Sequence, residues 1–168
     1  WENVRKIVAD LSMLLALDSN LAKLLERDNS PAEKLSSHCI NTALIAMDLT
    51  KEVKKIEFTA QEIGAAAILH DIGFIHGLAK HHKTALELIL TSPLLTFDKQ
   101  ERLIIGSIAR YHRKALPSVE HDHYAALKPA SRKTVSILAG LLRLADALDT
   151  SHDSIIDSLS CTVTRKTI

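Results

Sequence analysis

The chain has 168 residues, one domain's worth, enough to bury roughly two-thirds of its unfolded surface without disulfides or a structural metal. Its 21 Lys and Arg against 20 Asp and Glu leave a net charge of +1, which argues against a dedicated duplex-DNA binder. Leu and Ala dominate and Gly numbers five, a helical composition.

Periodicity predicts six helices. Residues 2–27 carry Val4, Ile7, Val8, Leu11, Leu14, Leu15, Leu21, Leu24 and Leu25 at helical spacing and end in polar Arg27, Asp28 and Asn29. Asn29, Ser30, Pro31 and Glu33 supply a cap, an early proline and an early acid for a second helix reaching about residue 53. Thr59 and Glu62 resemble a capping box and open a third, whose end is marked by Gly73. A fourth spans about 78–90, a fifth about 98–113 and, after a loop holding Pro117 and Pro129, a sixth about 131–149. The tail 160–164 alternates and is β-branched, so it reads as a strand with no partner in this chain. The expected fold is all-α, a bundle of about six helices with a short C-terminal strand. That lone strand, and an opening at Trp1 rather than Met, lead to the expectation of a piece of a longer protein, or of a strand that pairs with a second copy.

The remaining composition narrows the partners. Three Phe, two Tyr and one Trp are too few for the platforms that stack single-stranded bases. Cys39 and Cys161 form no CxxC spacing, so a reducing cytoplasm is expected. No apolar run approaches the ~20 residues of a membrane span and no leader opens the chain, so no membrane partner is expected.

Ligand-type residues fall on the apolar stripes. In the second helix His38 recurs with Leu35, Thr42, Ile45 and Leu49, and in the third His70 recurs with Ile63, Ala67 and Phe74 and is followed by Asp71. The fifth carries Ile105, Ile108 and His112; the sixth carries Ala139, Leu142, Asp146 and Asp149. One such histidine is most often a hydrogen-bonded core residue. A buried carboxylate without a cation, however, costs several kcal/mol, and no Lys or Arg stands in register with both Asp71 and Asp146. Four helices sending imidazole or carboxylate into one core point to a divalent ion held by His38, His70, Asp71 and Asp146. Such a site leaves positions for water or a phosphate oxygen, so hydrolysis of a phosphate ester or anhydride by a metal-activated water follows, with His70 and Asp71 as the catalytic pair. Without thiolates, Mn, Fe, Ni, Co, Zn and Mg all remain open.

The separated His38, the string LHDIG over 69–73 and the string LADALD over 144–149 resemble the HD-domain superfamily of metal-dependent phosphohydrolases. A closer resemblance, over about residues 30–152, is to the C-terminal HD domain of the exopolyphosphatase and guanosine pentaphosphatase family. It is carried by His81-His82-Lys83, by ARYHRKALP over 109–117 and by LLRLADALDTSH over 141–152. The resemblance implies an HD domain at 30–152, an N-terminal helix (1–29) packed on it, and a strand segment (153–168) leading toward a further region. In full-length members of that family an actin-like ATPase-fold region ahead of this domain carries the phosphatase site, and this sequence does not include it. Cyclic di-GMP hydrolases of the superfamily carry a GYP segment, and guanosine tetraphosphate hydrolases a Glu-Asp pair after the His-Asp; neither is present. Binuclear HD proteins imply a second ion at Asp71 with His81 and His112. The family favours His81 over His82, which helical spacing alone does not separate.

Basic residues Lys80, Lys83, Arg110, Arg113, Lys114 and Arg143 crowd these histidines. Singly each reads as a solvated surface charge; together Lys80, Lys83, Arg110, Arg113 and Arg143 form an expected phosphate-binding rim. His76, His121 and His123 are expected to be exposed and are given no role, His152 to stand just behind the ligands, and Cys39 to be packing. Two functions therefore stand. One is a metal-dependent phosphohydrolase acting on a phosphorylated small molecule or polyphosphate. The other is a non-catalytic HD module that binds polyphosphate or a guanosine polyphosphate and mediates homodimerisation.

Overall fold

The computed structural model describes residues 31–51, 53 and 60–152. They form α1 (Pro31–Lys51), α2 (Ala60–Leu69), a 3-10 turn (Ile72–His76), α3 (His81–Thr91), α4 (Lys99–Arg110), α5 (Asp122–Ala125) and α6 (Pro129–Leu148). The all-α expectation holds, and there is no strand among the described residues. The helix expected at 2–27 and the strand expected at 160–164 lie outside them.

Burial follows from side-chain pattern. In α2, Ile63, Ala65, Ala66, Ala67 and Leu69 are all buried, and a helix apolar all round belongs in the interior. It packs on α1 and α4 and touches α6, its three successive alanines presenting little bulk to these neighbours. Helix α6 lies along α1 and α4, while α3 packs on α4 and on the 3-10 turn. Helix α4 opens with a capping box. Asp98 accepts from the amides of Gln100 (2.7 Å) and Glu101 (2.9 Å), and Glu101 accepts from the Asp98 amide (2.8 Å). Every residue from 104 to 110 is then buried. Arg102 ties the α3–α4 connection together by donating to the carbonyls of Ile89, Leu90, Ser92, Leu95 and Phe97.

Several boundaries differ from expectation for local reasons. The third expected helix stops at Leu69, not Gly73, because the chain turns at His70 and Asp71 into the 3-10 segment. Gly73 is what permits that path. A Cβ there would meet the His81 carbonyl oxygen, with the carbonyl carbon at 2.7 Å and the Ala85 amide nitrogen at 2.9 Å, so the turn lies flush on α3. Helix α3 starts at His81 instead of residue 78, since Gly77 (φ 107°) and Lys80 (φ 63°) both take positive φ. Helix α4 ends at Arg110, three residues early, where the Tyr111 amide is shared between the carbonyls of Ser107 and Ile108. The four-residue α5 was not expected, being too short to leave a periodic signature.

Candidate metal centre

These elements meet at one place, all but α1 by their ends. His38 comes from α1, His70 and Asp71 from the turn closing α2, His81 from the first residue of α3, His112 from just beyond α4, and Asp146 and Asp149 from the end of α6. The four imidazoles are fixed in one way. Nδ1 of His70 donates to the Ala67 carbonyl (2.6 Å), that of His112 to Ala109 (2.6 Å) and that of His81 to Leu78 (3.0 Å), while Nδ1 of His38 donates to Asp149 Oδ2 (2.8 Å). With Nδ1 committed, each ring turns Nε2 toward the others, the orientation that metal-binding histidines adopt.

Asp71 stands between two pairs of rings. Its Oδ2 lies 3.3 Å from His70 Nε2 and 3.9 Å from His38 Nε2; its Oδ1 lies 3.3 Å from His81 Nε2 and 3.6 Å from His112 Nε2. Asp146 Oδ1 adds contacts of 3.3 Å to His38 Nε2 and 3.8 Å to His70 Nε2. Two compact groups result, His38–His70–Asp71 and Asp71–His81–His112, and each can hold a metal ion. His38 Nε2, His70 Nε2 and Asp71 Oδ1 are buried and have no hydrogen-bond partner. The first two face the His38–His70–Asp71 group and the third the Asp71–His81–His112 group; buried polar atoms left without partners in this way fit divalent cations, and the imidazole and carboxylate donor set suits them.

The electrostatics agree. Burial opposes charging His38, but the carboxylates of Asp146 and Asp149 outweigh it and hold the pKa at about 9. Burial likewise opposes charging His70, and Asp146 and Asp71 raise it to about 9. Burial would raise both carboxylates, yet His70 beside Asp71, and His38 and His70 beside Asp146, push them below the usual range. Without a metal, protons on His38 and His70 thus supply the positive charge the carboxylates require. His112 is pushed down to about 3, by burial and then by the charge of His70, and so stays neutral.

An open cleft of about 450 Å³ reaches this cluster, lined by Asp71, His112 and Asp146 and by the basic residues Arg113, Lys114 and Arg143. Arg143 donates to the carbonyls of Lys114 (3.0 Å) and Ala115 (3.3 Å), which pins the loop where Lys114 takes φ 63°. Of the five residues expected on a phosphate rim, Arg113 and Arg143 line the cleft. Lys80, which caps the start of α3, and Lys83, in its first turn, are exposed outside that lining. Arg110 does not line the cleft: it is buried, only 6% exposed, and sits two residues before His112, so it leaves α4 in a different direction. His121 and His123 are also half-buried rather than exposed, because the unforeseen α5 folds them onto Tyr111, whose hydroxyl lies 2.7 Å from His121 Nδ1.

Asp149, one helical step beyond Asp146 on the same stripe, enters the site through His38, and that stripe is its signal in the sequence; the positive φ of Lys114 leaves none. His152 stacks on His38 at 3.9 Å, directly behind the cluster. Cys39 is half-buried, and burial pushes its thiol up to about 12, which suits packing.

Residues 19–167 match the family model described as Ppx/GppA phosphatase, domain III. A search of the curated proteins finds no match. Among the described residues no helix is long and apolar enough to cross a membrane.

Proposed function

The chain belongs to the Ppx/GppA phosphatase family as its domain III, the C-terminal helical domain, and from that premise we propose that it is a metal-dependent phosphohydrolase of the HD type. The observation that carries this reading is the two-sided placement of Asp71, with a buried carboxylate oxygen directed at each pair of histidines. His38, His70, Asp71 and Asp146 would hold one divalent ion, and Asp71, His81 and His112 a second. A bound divalent ion would lower the pKa of water and neutralise charge on a phosphoryl group. Asp71 would orient the attacking water from the floor of the cleft and accept its proton, while His70, its Nδ1 committed to the Ala67 carbonyl, would hold the ion that activates it. Arg113, Lys114 and Arg143 grip the phosphate of a phosphorylated small molecule or polyphosphate at its mouth. Asp149 keeps His38 in the tautomer that leaves Nε2 unprotonated when a cation is present.

The proposal takes 30–152 as the HD domain, with 1–29 packed on it and 153–168 leading toward a further region, in a cytoplasmic protein. A second reading, a non-catalytic module that binds polyphosphate or a guanosine polyphosphate and helps the protein dimerise, draws on the family match being to domain III. Hydrolysis separates the two. Metal-loaded parent should cleave p-nitrophenyl phosphate, its bis ester or polyphosphate above the level of Asp71→Asn and Asp146→Asn. Equal rates in all three proteins across these substrates would leave the binding module.

A further inference from the structure

His38 is fixed differently from the other three imidazoles. The Nδ1 atoms of His70, His81 and His112 each donate to the backbone carbonyl three residues earlier, so the local backbone alone aims those rings. His38 sits inside α1, where the preceding carbonyls are taken up by the helix, and its Nδ1 donates instead to a side chain 111 residues away, Asp149 Oδ2, at 2.8 Å. At 3.5 Å the Thr42 hydroxyl adds only a long contact to the same nitrogen. Bonds gathered at one ring atom leave an imidazole free to pivot about it. A second group removes that freedom. The His152 ring lies face to face with His38, centroids 3.9 Å apart and planes 12° from parallel. The chain takes an unfavourable path to put it there, since His152 has φ 57°, in the left-handed region, although it is not glycine. Its amide donates to the Asp149 carbonyl (2.9 Å), and the Thr150 hydroxyl bonds back to the carbonyls of Asp146 (3.1 Å) and Ala147 (3.0 Å), so the turn is fixed to the end of α6.

We propose that His152 is a positioning residue for the metal centre: its ring, stacked on His38, holds the plane in which Nε2 points at Asp71 and Asp146. This role rests on the reading of His38 as a metal ligand. One four-residue turn then clamps His38 twice, Asp149 at the edge of the ring and His152 on its face. The cleft is lined by His152 and not by the fully buried His38, so the same ring keeps entering water off the ligand. Stacking uses the face of a ring. An aromatic side chain without nitrogens therefore serves in its place, whereas a residue acting by ligation or hydrogen bonding needs them.

The experiment uses the full chain with His152→Asn, which accepts the left-handed backbone but lacks the ring, and with His152→Phe, which keeps a ring without nitrogens. Competition with a chelating dye measures affinity for Mn²⁺ and, in parallel, for Zn²⁺. His152→Asn should bind roughly 10–100-fold more weakly than the parent, the loss typical when a group that orients a ligand is removed, and His152→Phe should bind as the parent does. In chelator-stripped protein, NMR of isotope-labelled histidine follows the Nδ1 proton of His38. It should exchange slowly with water in the parent and in His152→Phe and fast in His152→Asn, while the Nδ1 protons of His70 and His112 stay protected in all three. That arm needs no metal, so a parent that binds neither ion defeats the hydrolase reading and leaves the exchange rates to decide the role of His152. Parent-like metal affinity in His152→Asn, a His152→Phe variant as weak as His152→Asn, or a His38 proton still protected in His152→Asn would overturn the proposal. Loss of the His70 and His112 protons together with that of His38 would overturn it too, since His152 would then support the fold and not one ring.

Discussion

Replacing Gly73 by Ala tests the packing that brings the two histidine pairs together. The added methyl would meet the His81 carbonyl oxygen and lie 2.7 Å from its carbon and 2.9 Å from the Ala85 nitrogen, all backbone atoms with no rotamer to yield. Helix α3 would have to retreat by roughly an ångström to restore ordinary contact distances, an overpacking that typically costs 1–3 kcal/mol, with a rigid backbone neighbour placing it at the upper end, about 3 kcal/mol. For a chain of this size that corresponds to a fall in Tm of about 6–12 °C. The retreat carries His81 away from Asp71, so the 3.3 Å approach of their ligand atoms would lengthen and the Asp71–His81–His112 group would loosen. Thermal unfolding read by circular dichroism measures the first effect, and metal retained after gel filtration measures the second. A variant with unchanged Tm and unchanged metal content would refute the close approach of the turn to α3.

Other outcomes follow from the same structure. In metal-free protein the raised pKa of His38 and His70, from 6.5 to about 9, contributes stability that is complete below about pH 6.5 and is lost as pH rises toward 9. The loss of unfolding free energy over that interval should amount to roughly a few kcal/mol by the linkage relation and be read as a falling Tm; a flat or rising profile would contradict it. The depressed Asp71 and Asp146 act oppositely, contributing stability above the ordinary carboxylate pKa of 3.8 that disappears as the solution is acidified through their folded values. Asp98→Ala removes the acceptor for two α4 amides and should cost about 1 kcal/mol in urea unfolding while leaving metal content unchanged, and no loss would mean the capping box is not formed in solution.

The metal-ligand stripes were legible because they obey helical periodicity. His38 recurs with Thr42 and Leu49, and Asp146 with Leu142, so their inward direction could be read from spacing. His81 emerged from the family and not from spacing, and the structure explains why. Helix α3 begins at His81, so no preceding turn exists to define a stripe, and the choice over His82 depends on how Lys80 and Gly77 aim the first residue. The basic rim was the least legible part. Which of Lys80, Lys83, Arg110, Arg113 and Arg143 faces the cleft depends on where α4 stops and how the loop after it folds. That stop comes from tertiary packing of Tyr111 under α5, not from any local break in the sequence.

The central claim is that Asp71 serves both ligand groups, and elemental analysis of protein purified without added metal or chelator tests it most directly. The account predicts at least one divalent transition or alkaline-earth ion per parent chain, and near-complete loss in Asp71→Asn, an isosteric change whose fold can be checked by circular dichroism. A correctly folded Asp71→Asn protein holding the same metal as the parent, or a parent that takes up no divalent ion even when one is supplied, would contradict it.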